Sequence, residues 1–324
     1  MNIFQEKELD NFEPIRHETL ENLRSDLITN FPSIKIIEEE NRDNKGQQSD
    51  TFYIEYEIDK ENYIRSVVKT PKYLKGIYKS SSESLITHEF NMYKKDLKGV
   101  DGVPNLIGFN ENSKILHLSF IYSHIKTQEE LTKTNPLLLN LETLKSLQEI
   151  HKREIAHTDC FLDTLKNYGT IAQNLIFTKS ATENLKVKII DFGHAYKNNP
   201  SENFEEDRKQ DLANILTILI NHENKTKTEN KDEEKISEIS SKYGLSLDTS
   251  EKIYTICTYN TPINFTIEEV DDLIIEMEES LKVNFPQDIL IKPTFIPKGM
   301  VTENSKFTQA LDILNKVNKY LINY

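Results

Sequence analysis

The chain has 324 residues, 37% of them hydrophobic, with 14 Tyr and 15 Phe, which is enough for one large two-part domain or two ordinary ones with a real core. A formal net charge of −13 excludes a general nucleic-acid binder, which needs a basic surface to meet phosphates, although a local basic site is still allowed. The two cysteines, Cys160 and Cys257, make neither a disulfide framework nor a zinc site by themselves, so a reducing compartment is expected.

Residues 1–32 are polar and charged, with room for a short helix over Glu18–Leu27, and read as an N-terminal extension. The first residues lack the apolar core of a conventional signal peptide, and no stretch approaches membrane-span length. A cytoplasmic protein is therefore expected, including one delivered into a host cell without such a signal. Ile34-Lys35-Ile36-Ile37 reads as a strand and Asn41–Asp50 as a polar loop containing Gly46. Thr51–Ile58 alternates around Phe52, Ile54 and Tyr56, as a half-buried strand does. After a turn over Asp59–Asn62, Tyr63–Lys69 is a third strand, and short connections predict an antiparallel meander. Ser80-Ser81-Ser82-Glu83 opens a helix with Ile86, Phe90, Tyr93 and Leu97 on one face and Glu89 at its edge. Two more strands follow, Leu106–Phe109 and Lys114–Tyr122, around a polar turn at Asn110–Ser113.

Leu141, Leu144, Leu147 and Ile150 form a helical stripe leading to His157. Leu175–Phe177 and Val187–Ile190 read as a hairpin. Asp211 is expected to open a helix carrying the apolar run Leu212–Ile220, and Glu223–Glu234 to be a charged linker. Thr266-x-x-Glu269 is a capping-box pattern before Val270, Leu273, Ile274, Met277 and Leu281. Phe307–Leu321 reads as a last amphipathic helix. The fold class is α+β, with strands first and, apart from that hairpin, helices after.

Three motifs then stand in order: His157-Thr158-Asp159, Asn174 opening an apolar strand, and Asp191-Phe192-Gly193 ending another. This order resembles the catalytic core of the protein-kinase-like superfamily. By motif the resemblance covers residues 33–221. It implies a two-lobed fold: a five-stranded antiparallel N-lobe with one main helix over 33–122 and a mainly helical C-lobe over 123–324. It implies ATP and Mg²⁺. Lys69, in a Ser-Val-Val-Lys similar to the Val-Ala-Ile-Lys of kinases, would bind the α- and β-phosphates, with Glu89 fixing it by an ion pair. Asp159 would be the catalytic carboxylate, and His157 would brace its loop. Asn174 and Asp191 would hold the metal, since Mg²⁺ takes oxygen ligands and keeps phosphates and waters for the rest. Val67 would pack on adenine, Phe120–Ser123, with Phe120 and Tyr122, would be the inter-lobe hinge, and Gly46 would sit in the phosphate loop. Asp211 resembles the aspartate that supports the catalytic loop.

The sequence also departs from the pattern. Fourteen residues separate Asp159 from Asn174, against about four in the kinase signature. Cys160–Gln173 reads as an insertion, with Leu162, Leu165 and Tyr168 on one short helical face and Asn167 as an alternative metal ligand. The loop around Gly46 is poor in glycine, Thr158 stands where protein kinases often carry Arg, and no Ala-Pro-Glu follows Asp191. Asp211 lies only 20 residues after Asp191, so the activation segment is short, as in atypical and minimal kinases. The reading is an ATP- and Mg²⁺-dependent phosphotransferase, first a Ser/Thr protein kinase with a protein substrate. The alternatives are a small-molecule kinase of the aminoglycoside or choline type, and a pseudokinase binding module or a kinase fold adapted to adenylylation.

Overall fold

Alternating side chains early in the chain and helical stripes later produce an α+β protein, seen in a computed structural model. It describes residues 34–37, 49–59, 62–71, 77–111, 114–123, 125, 127–165, 169–179, 184–198, 203–220, 232–259 and 265–289. The helices expected over 18–27 and 307–321, and Gly46, Asn167 and Tyr168, lie outside these residues. The described chain divides into two compact units. One runs to Lys98 and resumes over Pro104–Phe120; the other takes Gly99–Val103 and the chain from Ile121 onward.

In the first unit, β1 (Ile34–Ile37), β2 (Ser49–Asp59), β3 (Asn62–Pro71), β4 (Leu106–Asn110) and β5 (Ile115–Ser119) form an antiparallel sheet in the order β1-β2-β3-β5-β4. The period-two side-chain rule sorts β3 into a buried row, Ser66, Val68 and Thr70, and a half-buried row, Arg65, Val67 and Lys69. Lys69 is opposite Thr51 of β2 and Leu116 of β5, and pairing continues to Pro71, so Lys69 is inside the strand rather than at its end. β5 stops at Ser119, short of the expected Tyr122. There the Ser119 N–H donates to the Asn105 carbonyl at 2.9 Å and its Oγ accepts from the Asn105 N–H at 2.8 Å.

Helix α1 (Ile77–Asn91) starts ahead of Ser80 and passes into a π-helical turn, Met92–Asp96, where the Leu97 N–H reaches back to the Met92 carbonyl at 2.8 Å. The wider turn lets neighbouring residues Met92 and Tyr93 both be buried. Ile86 and Leu97 are buried on the expected face, and Phe90 stacks on Phe109 of β4 with ring centroids 4.1 Å apart.

In the second unit, α2 (Gln128–Lys133) begins at a capping box made by Thr127 and Glu130. Helix α3 (Pro136–His151) has Pro at its first turn and Asn135 capping the Leu137 N–H at 2.9 Å. Its buried Leu137, Leu141, Leu144 and Leu147 make it the centre of the unit. Against it pack α4 (Phe204–Leu216), α7 (Ile267–Asn284) and the hairpin β9 (Leu175–Lys179)–β10 (Leu185–Ile189). Helices α5 (Asp232–Tyr243) and α6 (Leu247–Tyr259) pair with each other, α7 opens on the expected Thr266–Glu269 capping box, and α8 (Pro286–Ile289) follows it.

Four expectations need correction. Helix α4 starts at Phe204, with Glu205, Glu206 and Asp207 suited to its positive N-terminal end, so Asp211 lies in mid-helix instead of opening it. Helix α5 claims Asp232–Glu234 from the expected linker. The second half also carries more strand: β6 (Ile155–Ala156) pairs with β11 (Tyr196–Lys197). Finally, the segment after Asp159 is no helix but an antiparallel hairpin, β7 (Phe161–Leu165) with β8 (Gly169–Gln173), in register Leu165↔Gly169 to Phe161↔Gln173. Its Thr and Ile residues favour a pleated strand over a helix, and Leu162, fully buried, is its inward anchor. Among the described residues no helix is long and apolar enough to cross a membrane.

One close contact fixes the strand that leads to Asp191. Gly102 accepts from the Ile189 N–H at 2.7 Å, and Ser146 of α3 donates its hydroxyl to the Val187 carbonyl at 2.6 Å. A Cβ on Gly102 would stand 2.9 Å from the Ser146 Cβ and 3.1 Å from its Cα, inside van der Waals contact with rigid helix. Gly102→Ala is therefore expected to destabilise the protein by about 1–3 kcal/mol, the usual cost of overpacking. The check is the urea midpoint at unchanged m value; a midpoint equal to wild type would refute the contact.

Candidate functional site

The candidate residues fall into two groups, one in each unit. In the first unit, Lys69 on β3 and Glu89 on α1 meet: Lys69 Nζ lies 2.9 Å from both Glu89 carboxylate oxygens. The side chains are 12% and 2% exposed. Taking two charges out of water costs several kcal/mol per ion, and apolar residues of similar size would serve the core at least as well. A strand-to-helix ion pair in this position is thus poorly explained by stability alone. Val67 projects from the same half-buried face of β3 as Lys69. Phe120 sets its ring edge-on to Tyr53 at 5.4 Å, with the Arg65 guanidinium 5.1 Å from its centroid, which leaves its backbone, not its ring, for any recognition role. Tyr122, half-buried, lies in the second unit, one residue after the chain enters it at Ile121.

In the second unit three motifs converge on one hydrogen-bonded assembly, and its hub is Asp211. The carboxylate is fully buried. Its Oδ2 accepts from the His157 N–H at 2.8 Å and from His151 Nε2 at 3.2 Å, and its Oδ1 accepts from the Thr158 N–H at 2.8 Å. Thr158 is held left-handed, at φ 66°, an outlier for a β-branched residue. Its hydroxyl donates to the His194 carbonyl at 3.2 Å. The pairing of β6 with β11 brackets the same two loops.

His157 joins the loop before Asp159 to the strand before Asp191. Its Nε2 is 2.9 Å from the Ile190 carbonyl, which only accepts, so Nε2 carries the proton. Its Nδ1 then accepts from the Asp159 N–H at 3.3 Å. The ring lies edge-on to Phe192 with centroids 4.8 Å apart. This is the bracing role expected of it. Burial holds its pKa below the ordinary histidine value, against the attraction of the Asp211, Asp191 and Asp159 carboxylates. His151 is lowered in the same way, by burial first.

Asp159 itself is gripped by two consecutive amides. Asn174 Nδ2 donates to the Asp159 carbonyl at 2.7 Å and to its Oδ2 at 3.0 Å. Gln173 Nε2 donates to its Oδ1 at 2.8 Å. The Asn174 carbonyl accepts from the Ile190 N–H at 2.9 Å, so the chain at Asn174 is tied to the residue before Asp191. Asn174 and Asp191 are also left-handed, at φ 57° and 66°. Strain of about 1–3 kcal/mol per such residue persists only where the surroundings impose it, and it clusters at functional sites.

The donor set fits Mg²⁺. With the Asn174 amide nitrogen directed at Asp159, its Oδ1 is the oxygen left for a cation, and Asp191 adds a half-buried carboxylate. Among the described residues no cluster of three or more His, Cys, Asp or Glu forms a self-sufficient cage.

Gln173 and His151 were not among the residues expected from sequence. Gln173 had a signal in the alternating, β-branched run Thr170-Ile171-Ala172-Gln173, which sets a strand end beside Asn174. His151 ends a helix, and nothing in its neighbours announces Asp211. No protein-family model matches the chain, and no curated protein matches it either.

The two buried histidines fix a sign for the pH dependence of stability. Folded, both have a pKa below the ordinary value of 6.5; unfolded, both titrate near it. Below pH 6.5 the unfolded chain takes up protons that the native one refuses, so stability falls as pH drops and is restored above that value. Urea unfolding at pH 7.5 and 5.5 should show a lower midpoint at the acid end. Replacing His151 by Asn should flatten part of that slope; an unchanged slope would contradict the assignment.

Proposed function

We propose that the protein is an ATP- and Mg²⁺-dependent phosphotransferase with a two-lobed protein-kinase-like fold, and that it transfers phosphate to a hydroxyl group, first of all a protein Ser or Thr. The observation that carries this reading is the tethering of Asp159, Asn174 and the Asp191 segment into one assembly through His157 and Asp211. Each residue alone has an ordinary explanation as a turn or strand-end residue. Held together on three left-handed residues and a buried carboxylate, they resemble a constructed site.

In this reading Asp159 faces the acceptor hydroxyl and takes its proton as the oxygen attacks the γ-phosphorus and the bond to the β-phosphate oxygen breaks. Lys69, oriented by Glu89, meets the α- and β-phosphates. Asn174 Oδ1 and the Asp191 carboxylate would hold Mg²⁺, which supplies neutralisation of phosphate charge when bound. His157 keeps the two acidic segments in register without exchanging a proton. A small-molecule acceptor is the second reading. The observation that favours it is Thr158, whose hydroxyl caps His194 where a phosphate-binding Arg of a regulated protein kinase would stand.

Incubation with Mg²⁺ and ATP followed by mass spectrometry tests the class. Gain of one phosphate, on the chain or on an added acceptor, supports phosphotransfer; gain of AMP points to adenylylation, and no gain with either acceptor type points to a binding module. Asp159→Ala should lower turnover about 10²–10⁴-fold, the usual share of a general base. Asp191→Ala should remove Mg²⁺-dependent nucleotide binding from a folded protein, and full Mg²⁺-dependent affinity in that variant would exclude its metal role. Lys69→Met and Glu89→Gln should each reduce transfer, with the double variant no worse than Lys69→Met, because either change breaks the same pair. Additive losses would mean that the pair does not act as a unit.

A further inference from the structure

The hairpin between Asp159 and Asn174 does more than extend the loop. Its two strands are held on both sides: β7 packs on α4 and on the turn Thr217–Leu219, and β8 packs on α2. Leu162 is fully buried and Asp163 nearly so. A β-hairpin anchored in this way is a rigid lever, and β8 ends on Gln173, paired across to Phe161.

That end is where the hairpin meets Asp159. A carboxylate has two oxygens with about two acceptor sites each. One site on Oδ2 is taken by Asn174 at 3.0 Å, and one on Oδ1 by Gln173 at 2.8 Å. Two donors from consecutive residues, one on each oxygen, fix rotation about the Cβ–Cγ bond, which a single donor would leave free. Each oxygen keeps a second site for an acceptor hydroxyl. The Gln173 side chain is otherwise exposed, so neither packing nor burial accounts for its orientation. The carbonyl contact from Asn174 holds the Asp159 backbone, and among the described residues it is Gln173 that holds Oδ1.

We infer that Gln173 is a positioning residue for Asp159, and that the hairpin is the device that sets it. This rests on the phosphotransferase reading of Asp159. The inserted segment thereby serves the acceptor side of the reaction by orienting the group that receives the acceptor's proton. The contact with the α- and β-phosphates, assigned to Lys69, makes no use of it.

Two measurements decide the matter, both on the full chain. The first is kinetic, with Mg²⁺·ATP as substrate and ADP release or transfer to the protein's own hydroxyls as readout. Gln173→Met removes the donor at similar length, and Gln173→Glu keeps the shape but opposes the charge. Both should lower kcat, Met about tenfold, while leaving the KM for ATP unchanged, as expected for a misoriented group that serves the acceptor and not the binding of ATP. In an Asp159→Asn background Gln173→Met should cost nothing further. The second is spectroscopic. With ¹⁵N-glutamine labelling, the Gln173 side-chain amide, assigned by its loss in Gln173→Met, should lie away from the solvent-exposed glutamines. It should move to join them in Asp159→Ala. A wild-type chain that turns over while Gln173→Met keeps full kcat overturns the inference and leaves the phosphotransferase reading standing. So does an equal loss in the Asp159→Asn background, or an amide resonance indifferent to Asp159→Ala. A wild-type chain that never consumes ATP overturns the phosphotransferase reading and the inference with it.

Discussion

A single buried carboxylate sets the geometry of the second unit. Asp211 has no access to water, so its oxygens must be met by donors inside the protein, and those within reach are the backbone N–H groups of His157 and Thr158 and the ring of His151. Satisfying it bends the chain through a left-handed Thr158, a conformation that no isolated peptide would choose. The bend in turn presents Asp159. Helix α4 thus acts through its middle, where a polar residue in an otherwise buried helix face can reach a loop, and α3 contributes through the histidine at its last turn. Removing the Asp211 side chain would take the acceptor from the buried His157 N–H and from the Thr158 N–H, which ties the loop and the strand pair β6–β11 to the helix.

Much of this architecture is legible in the residues because period and burial agree. The alternation in β2 and β3 and the leucine stripe in α3 specify their elements locally, and the structure places them within a few residues of where the pattern does. The candidate residues on strands and at strand ends were legible for the same reason: Lys69, Asn174 and Asp191 are marked by the apolar runs beside them. What the residues do not announce is long-range. The start of α4 is set by three acidic residues at its N-terminus, not by the apolar run after Asp211. The hairpin after Asp159 was obscured because Leu162 and Leu165 have the spacing of a helix, while its actual determinant is pairing with Gly169–Gln173. The Gln173 contact depends on that pairing register, so it is invisible until the hairpin is known. A shift of one residue would turn the amide to the opposite face.

The two units answer the problem of buried charge differently. In the first, opposite charges from β3 and α1 neutralise each other, and the cost of burying both is offset by two short contacts to one ammonium. In the second, two carboxylates are held by neutral donors: backbone N–H groups on Asp211, and side-chain amides on Asp159. Neutral donors satisfy a carboxylate without cancelling its charge, so negative potential is retained around Asp159. A core built for stability alone would place apolar residues at all of these positions, and strain, buried charge and unusual backbone would not coincide on the same few residues.

Cys160 gives this loop an internal clock. The thiol follows Asp159 directly, is fully buried, and lies 3.9 Å from the Asp211 carboxylate. Burial first, and the carboxylate beside it second, hold the thiol well above its ordinary pKa, so it is protonated and shielded from electrophiles while the loop is closed. Alkylation of Cys160 therefore requires the loop to lift from α4, and its rate counts those openings. Cys257 is only half-buried, so it reports on its surroundings under the same reagent. The pair turns a simple labelling time course into a record of how often the segment carrying Asp159 opens by itself, residue-resolved and without any added probe.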